Sequence, residues 1–476
     1  MNSIIQQRQY QHKILEMLKD NYIQGYNTIV EVDTGLGKRV LTYLLIKDIL
    51  KDKKVLLLLH STISYSETIH YFKEHYGGFV NSEFQSFSSQ TPGFIRQKIL
   101  EDAQIVASTP QTFLNAFNKL TIKPKFDGII INEVDKIVRR HGDSRLLIYP
   151  YNTLIPYFVN LNSWIVGMTG TIRDKHIFYN ERRDTIELQE ELVALDKRIP
   201  VLHIIRMDSL LAHTDIQNYI QNTYIRQYHV KPSPELRLVL KLIDHAIENL
   251  RQEIINETME ERPTLLEFIP SSEYALVSGM LDTESGDNQK YQGLLLIRKY
   301  CTAMQVQKYR KFLYRLKKFG ITKDIIQALP EHNSKTSTLL QIINDQPPNS
   351  KTVVLCSFLD TAQKLDEEIQ KMGIATFRIT GKVRDKISIL NSFKELEGKS
   401  VLVITSVGER DLDIPQAKLL IVYDVVNTVK TMYQRFKRTR GGLVLCLSYQ
   451  ETFEERKVAR LLQEISKRYP WSSIIE

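Results

Sequence analysis

Short apolar runs rich in Ile, Val and Leu recur in two separated blocks of this chain, each run set off by stretches of helical periodicity. In the first block, which extends to about Pro200, they are Ile29-Val30, Val55 to Leu59, Ile105 to Ala107, Ile129 to Ile131 and Ile165 to Met168. After about residue 350 the rhythm returns with Val353 to Cys356, Phe377 to Ile379, Val401 to Thr405, Leu419 to Val422 and Leu443 to Leu447. A strand that is apolar along its whole length has both faces covered, and helices packed on a parallel sheet do that. The pattern predicts an α/β chain with two parallel-sheet domains.

The stretch between the blocks reads differently. Leu236, Leu240, Ile243, Ile247 and Leu250 follow a three-four spacing that puts them on one helical face, and Val306, Tyr309, Leu313 and Leu316 repeat it. The polar segment SGMLDTESGDNQK between these two patterns reads as a loop. In NDQPPNSK, Pro347 and Pro348 cannot continue a helix, so this segment is a linker. The expected organisation is a sheet domain over residues 1–205, a helical insertion over 206–335 and a second sheet domain over 336–476.

Of the 476 residues, 42% are hydrophobic and 25% charged, the balance of a soluble globular chain. No apolar run reaches the roughly 20 residues that span a bilayer, and the start, MNSIIQQRQYQHK, lacks a secretory pattern. The three cysteines, Cys301, Cys356 and Cys446, are too widely spaced for a disulfide framework or a zinc site. A cytoplasmic or nucleoid-associated protein is expected, not a secreted one and not a membrane partner. The 64 Lys and Arg outnumber the 55 Asp and Glu, a net charge of +9 that favours a polyanionic partner.

Two motifs carry chemistry. Asp33-Thr34-Gly35-Leu36-Gly37-Lys38-Arg39 follows the strand Thr28 to Val32 and precedes a helical pattern. Glycines let backbone N–H groups turn toward phosphate, the helix start adds positive potential, and Lys38 reaches the terminal phosphates. A Ser or Thr hydroxyl would bind magnesium at the next position, where Arg39 stands. The second motif is a buried strand ending in Asn132-Glu133-Val134-Asp135. In a nucleotide-hydrolysing site the first acid holds Mg²⁺ and the next polarises the attacking water. Asn132 fills the first place with a neutral, weaker ligand for a hard cation, and Glu133 remains as the base. No other metal site is expected.

Taken with Arg8-Gln9-Tyr10-Gln11, the segments Thr109-Pro110-Gln111, Met168-Thr169-Gly170-Thr171, TSVGERDLDIP (405–415) and Gln434-Arg435-Phe436-Lys437-Arg438-Thr439-Arg440 occur in the order of the superfamily 2 helicase motifs. VASTPQTFLN, TGLGK and TSVGERDLDIP resemble the archaeal Hef and eukaryotic FANCM branch most closely. That branch has two RecA-like domains with a helical domain inserted between them.

The resemblance implies roles residue by residue. Gln11 would read the adenine of ATP, and Thr34, Gly35, Gly37, Lys38 and Arg39 would line its phosphates, with Asp413 at the ribose. Thr109, Gln111, Thr405 and Ser406 would touch the nucleic-acid backbone. Thr169 and Thr171 would couple the lobes, while Gln434, Arg435 and Arg438 would face the phosphates from the second lobe.

The departures matter as much. Asp33 puts a carboxylate beside the phosphate cradle, Arg39 and Asn132 replace both magnesium-binding side chains, Asp411 replaces a glycine, and Arg440 comes one place early. Metal and arginine-finger contributions are each worth roughly a thousandfold or more in phosphoryl transfer. Hydrolysis is therefore expected near background, with nucleotide binding outlasting it.

Glu455-Arg456-Lys457 resembles the core of XPF-type nucleases, but Arg460 stands where the completing acid belongs, and the segment reads as a closing amphipathic helix. Lys308, Lys311, Arg315 and Lys318 lie three or four apart, a spacing that shares one helix face and suits a DNA backbone. The leading expectation is a DNA-binding protein of fork or branch processing that recruits or regulates an active nuclease or helicase. An ATP-dependent translocase and a duplex-RNA binder are the alternatives.

Overall fold

A computed structural model describes residues 7–75, 84–138, 150–172, 175–180, 185–221, 223–261, 286–303, 334–383, 385–405, 417–425, 429–437 and 442–471. Its strands are β1 (Asn27–Glu31), β2 (Val55–Leu58), β3 (Phe84–Ser86), β4 (Ile105–Ser108), β5 (Gly128–Asn132), β6 (Trp164–Thr169), β7 (Lys175–Asn180), β8 (Thr185–Glu190), β9 (Leu202–Ile205), β10 (Tyr224–Val230), β11 (Lys351–Cys356), β12 (Ala375–Ile379), β13 (Ser400–Thr405), β14 (Leu419–Val422) and β15 (Leu443–Tyr449). They build two all-parallel sheets, β3-β4-β2-β5-β6-β1-β9 and β10-β15-β14-β11-β13-β12, and a separate pair β7-β8. These are the two parallel-sheet domains that the apolar runs predict.

The first compact unit comprises Met1–Phe178 and Leu188–Ile220. Its central strands are apolar on both faces, and β2, β4 and β6 are buried at every position. One face packs Ile29, Leu56, Val106, Ile129 and Ile131 against Phe113, Phe117, Leu154 and Phe158 from two helices, Pro110–Phe117 and Pro150–Asn160. Burial of this kind yields roughly 25 cal/mol for each Å² of apolar surface, which makes these runs the main source of the unit's stability.

β1 ends in a carboxylate that would be costly to bury alone. Glu31 is 1% exposed and accepts backbone N–H groups on both sides, from Ile172 beyond β6 and from Met207 beyond β9, each at 3.3 Å.

The second unit comprises Tyr179–Glu187 and Gln221–Glu476. Leu339, Ile343, Val354, Val403, Ile421 and Leu447 form a core on one side of its sheet. In a second cluster, the face formed by Leu236, Leu240, Ile243, Ile247 and Leu250 of helix Pro234–Glu261 packs with Tyr291, Leu294 and Ile297 of helix Gly286–Ala303 and with Tyr449 of β15. Inside this unit Lys335, fully buried, donates to both carboxylate oxygens of Glu454 at 2.8 and 2.9 Å and to the Tyr423 carbonyl at 3.2 Å. All three cysteines are buried.

Within the expected insertion, residues 206–335, the described residues divide between the two units. Helix Met207–His213 and the 3-10 turn Asp215–Tyr219 cluster with the first unit, and Tyr224–Val230 is a strand of the second sheet, parallel to β15. β10 escapes the apolar-run pattern because it is an edge strand with only Ile225 and Val230 buried. The second helical pattern, Val306 to Leu316, lies outside the described residues.

Candidate nucleotide site and nucleic-acid contacts

Ligands of parallel α/β sheets sit beyond the carboxyl ends of the strands, and in the first unit the sequence motifs meet there. β5, β6 and β1 are neighbours, so Asn132, Thr169 and the loop after Glu31 emerge side by side. Gly37 has φ +77°, and a Cβ on it would lie 2.7 Å from Gln11 Nε2; both the left-handed backbone and the contact call for glycine. Lys38 Nζ donates to the Val32 carbonyl at 3.2 Å and would lie 3.3 Å from a Cβ placed on Gly170. The loop is thus folded around its own lysine. Asp33, 2% exposed, accepts the Thr34 N–H at 2.7 Å through Oδ1, so one amide of the cradle already has an internal anion.

The helix Gln9–Gln24 brings in the segment that resembles an adenine reader. Arg8 N–H donates to Gln11 Oε1 at 3.1 Å, and Tyr10 donates its hydroxyl to the Leu36 carbonyl at 2.6 Å. Burial raises the Tyr10 phenol above its ordinary range, with Arg8 opposing. Tyr219 closes this corner. Its ring lies 5.4 Å from that of Tyr10 and 4.4 Å beneath the Arg8 guanidinium. Sequence reasoning quoted Tyr10 only as part of its motif and missed Tyr219; an isolated tyrosine in a short 3-10 turn has no periodic signal.

Both substitutes for magnesium ligands are engaged by one helix, Thr62–His75. Asn132 Nδ2 donates to Ser64 Oγ at 2.9 Å, and the Arg39 guanidinium forms an ion pair with Glu67. Ser64 and Glu67 are three residues apart and so share a helix face. Neither was singled out from sequence, because helical spacing does not reveal what a surface serine or glutamate will meet. Asn132 turns its amide nitrogen, not a ligand oxygen, to Ser64, and a guanidinium stands where a hydroxyl would coordinate. These residues do not fit a magnesium ion.

Glu133 sits in the left-handed region (φ 55°, ψ 54°), half-buried at the end of β5. The turn is locked from behind: a Cβ on Gly167 would come within 2.6 Å of the Val134 side chain. Thr169 Oγ1 donates to Asp135 Oδ1 at 2.9 Å, and Lys136 pairs with the same carboxylate at 3.0 Å. Thr169 and Thr171 are both fully buried in this network.

The nucleic-acid candidates lie at strand ends. Thr109 follows β4 and donates to Thr112 Oγ1 at 2.9 Å, while Gln111 is exposed and donates to Asn115 at 3.0 Å. Thr405 ends β13, and its buried hydroxyl has no hydrogen-bond partner among the described residues. In helix Val429–Phe436, Gln434 is half-buried. Arg435, in the same helix, is 1% exposed, and its positive charge lies close enough to Lys299 and to the Cys446 thiol to act on both. Ser406, Asp411, Asp413, Arg438, Arg440, Lys308, Lys311, Arg315 and Lys318 lie outside the described residues.

Two families match the chain: "Type III restriction enzyme, res subunit" over residues 4–174 and "Helicase conserved C-terminal domain" over residues 334–442. The helicase domain of Pyrococcus furiosus Hef superposes with a TM-score of 0.60 at 21% identity, covering 97% of this chain and 99% of that one. The chain belongs to superfamily 2, of the Hef/FANCM type. This Hef-type chain is also 22% identical to the ATP-dependent DNA helicase MPH1 of Pyricularia oryzae, over 88% of its own length and 42% of that protein. It is 20% identical to the human antiviral innate immune response receptor RIG-I, over 93% of its length and 54% of that protein. The Hef-type chain therefore spans about half the length of these two relatives. Among its described residues, no helix is long and apolar enough to cross a membrane.

Proposed function

We propose that this protein binds forked or branched DNA in repair or replication, retains a nucleotide-binding cradle and hydrolyses ATP weakly or not at all. The observation that carries the reading is the capture of Asn132 by Ser64 and of Arg39 by Glu67. Where a hydrolase needs two oxygen ligands for magnesium, this chain has an amide and a guanidinium tied to one helix. Gly37, Lys38 and Gln11 still support binding of phosphate and base, and Lys38 with Arg39 offsets triphosphate charge without a metal. Such a protein would act by occupying DNA and recruiting an active nuclease or helicase.

The DNA part of the reading is supported by the net charge of +9, by the likeness to Hef and MPH1, and by the sequence spacing of Lys308, Lys311, Arg315 and Lys318. Changing those four residues to Glu should weaken fork binding markedly and flatten its salt dependence, because phosphate contacts dominate such affinity. The decisive experiment measures phosphate release with and without forked DNA, for the wild type and for Lys38→Ala. Release at background in both, with fork binding intact, is the expected result. Turnover of several per second that disappears in Lys38→Ala would sink the reading and favour an ATP-dependent translocase, for which Glu133 stands as the base. Stronger binding to duplex RNA than to forked DNA would favour an RNA-binding role, in keeping with the likeness to RIG-I.

A further inference from the structure

Among the described residues, the end strand of the second sheet carries a ring, a cation and a ring in a row. Tyr224, Arg226 and Tyr228 alternate along β10 and so share one face, roughly 7 Å from one to the next. All three are exposed, the tyrosines by 45% and 38%. None of them makes a side-chain hydrogen bond, ion pair or ring contact among the described residues.

The other face of the strand is fully engaged. Gln227 donates to Ser448 Oγ at 2.8 Å and to the Glu455 carbonyl at 3.1 Å, and His229 lies 2.7 Å from the Glu455 carboxylate. On the ring-bearing side, Leu445 and Leu447, opposite Arg226 and Tyr228, pack in the core with Leu339 and Ile343 of helix Ser334–Asn344. That helix contains no acidic residue. At the near end, Leu443 stands opposite Tyr224 with 38% of its surface exposed, and exposed Lys418 accepts the Leu443 N–H through its carbonyl at 2.8 Å.

We propose that this face is an accessory docking strip for single-stranded nucleic acid, with bases stacking on Tyr224 and Tyr228 and the backbone between them meeting Arg226. The assignment rests on the nucleic-acid reading above and adds to it the place of a single-stranded arm. Rings that accept any base, with a cation between them, form a sequence-tolerant platform, and the strip's charge complements a phosphate backbone on a chain of net charge +9. A protein strand added to the edge would use backbone groups, and an unpaired edge cation opposes that pairing. The strip is also distinct from the strand-end candidates. Thr405 lies on β13, four strand spacings or roughly 19 Å across the sheet from β10.

The test uses the whole chain and fluorescence anisotropy of a labelled oligothymidylate, with a blunt duplex measured alongside. Joint substitution of Tyr224→Ala and Tyr228→Ala should raise the single-strand Kd by roughly tenfold to a hundredfold and leave duplex binding within error. Tyr224→Phe with Tyr228→Phe should bind as the wild type does, since the rings remain. Arg226→Gln should reduce the slope of log Kd against log salt by about 0.7. Single-strand affinity unchanged in the alanine pair would overturn the proposal, as would the same loss on duplex and single strand alike. A wild type that binds duplex and not single strands would overturn it while leaving the proposed function standing. A wild type that binds no nucleic acid would overturn both. Unchanged oligonucleotide binding with an altered sedimentation mass would make the edge a pairing surface between copies instead.

Discussion

Asn132 gives its side-chain N–H to the Ser64 hydroxyl at 2.9 Å, at the place where a superfamily 2 hydrolase would present a carboxylate to magnesium. One helical step further, Glu67 holds Arg39. The two departures in the sequence are thus two halves of one arrangement in space.

Restoring the family pattern should accordingly be cooperative. Asn132→Asp alone leaves Arg39 in the metal's place, and Arg39→Thr alone leaves no anionic ligand. Each single change is expected to stay within about twofold of background phosphate release, and the double variant to exceed their product, because both act through one ion. Adding Glu67→Gln to the double variant should raise release further by removing a carboxylate that has lost its cation. Phosphate release measured against magnesium concentration checks the set; additive single effects would argue against a shared ion.

Gly167 and Val134 form a tight contact behind the Glu133 turn. Gly167→Ala should destabilise the first unit by about 1–3 kcal/mol, since the added carbon meets three side-chain atoms of Val134. Val134→Ala should suppress much of that loss in the double variant, giving a clear coupling term in urea unfolding. Equal losses that simply add would mean the backbone, not Val134, absorbs the clash.

Lys335 and Glu454 are a buried ion pair, 0% and 2% exposed. Lys335→Met should cost about 3–5 kcal/mol because it strands the carboxylate, and Lys335→Met combined with Glu454→Gln should recover part of it. Denaturant unfolding of the three variants tests this; a single variant as stable as the wild type would show that the carboxylate finds another donor.

Lys457, on helix Phe453–Arg468, has its ammonium lowered to about 7 by burial and then by the nearby positive charges of Lys299, Arg298 and Arg460, with Glu454 opposing. The unfolded chain holds this proton up to a higher pH than the folded one does. Lys457 therefore lowers stability as pH falls from the ordinary lysine range toward 7, and adds no further loss below that. In a lysine-acylation series read by mass spectrometry, Lys457 should label at near-neutral pH, well before the exposed Lys13. Labelling in step with Lys13 would contradict the assignment.

How much could be read beforehand depended on how each residue is used. β2, β4, β5, β11 and β13 announce themselves because strands covered on both faces are apolar throughout. β3, β9 and β10 do not, since they lie at sheet ends and keep polar positions. The glycine loop was legible because Gly37 alone satisfies its backbone and its contact with Gln11. Ser64, Glu67 and Tyr219 were not, because their roles arise from what the fold brings opposite them. The burial of Arg435 was not legible for the same reason: its motif position says nothing about which way its side chain turns.

Glu31 has a topological consequence. Its two oxygens take the N–H groups of Ile172 and Met207, so the stretch of chain between those residues departs and returns at a single side chain. A loop whose ends share one anchor has its closure entropy met by that anchor, much as a covalent clip would meet it. Whatever Ile172 to Met207 does in length or conformation, it does on a fixed base, and the strand that leads into the phosphate loop is the post to which that base is tied.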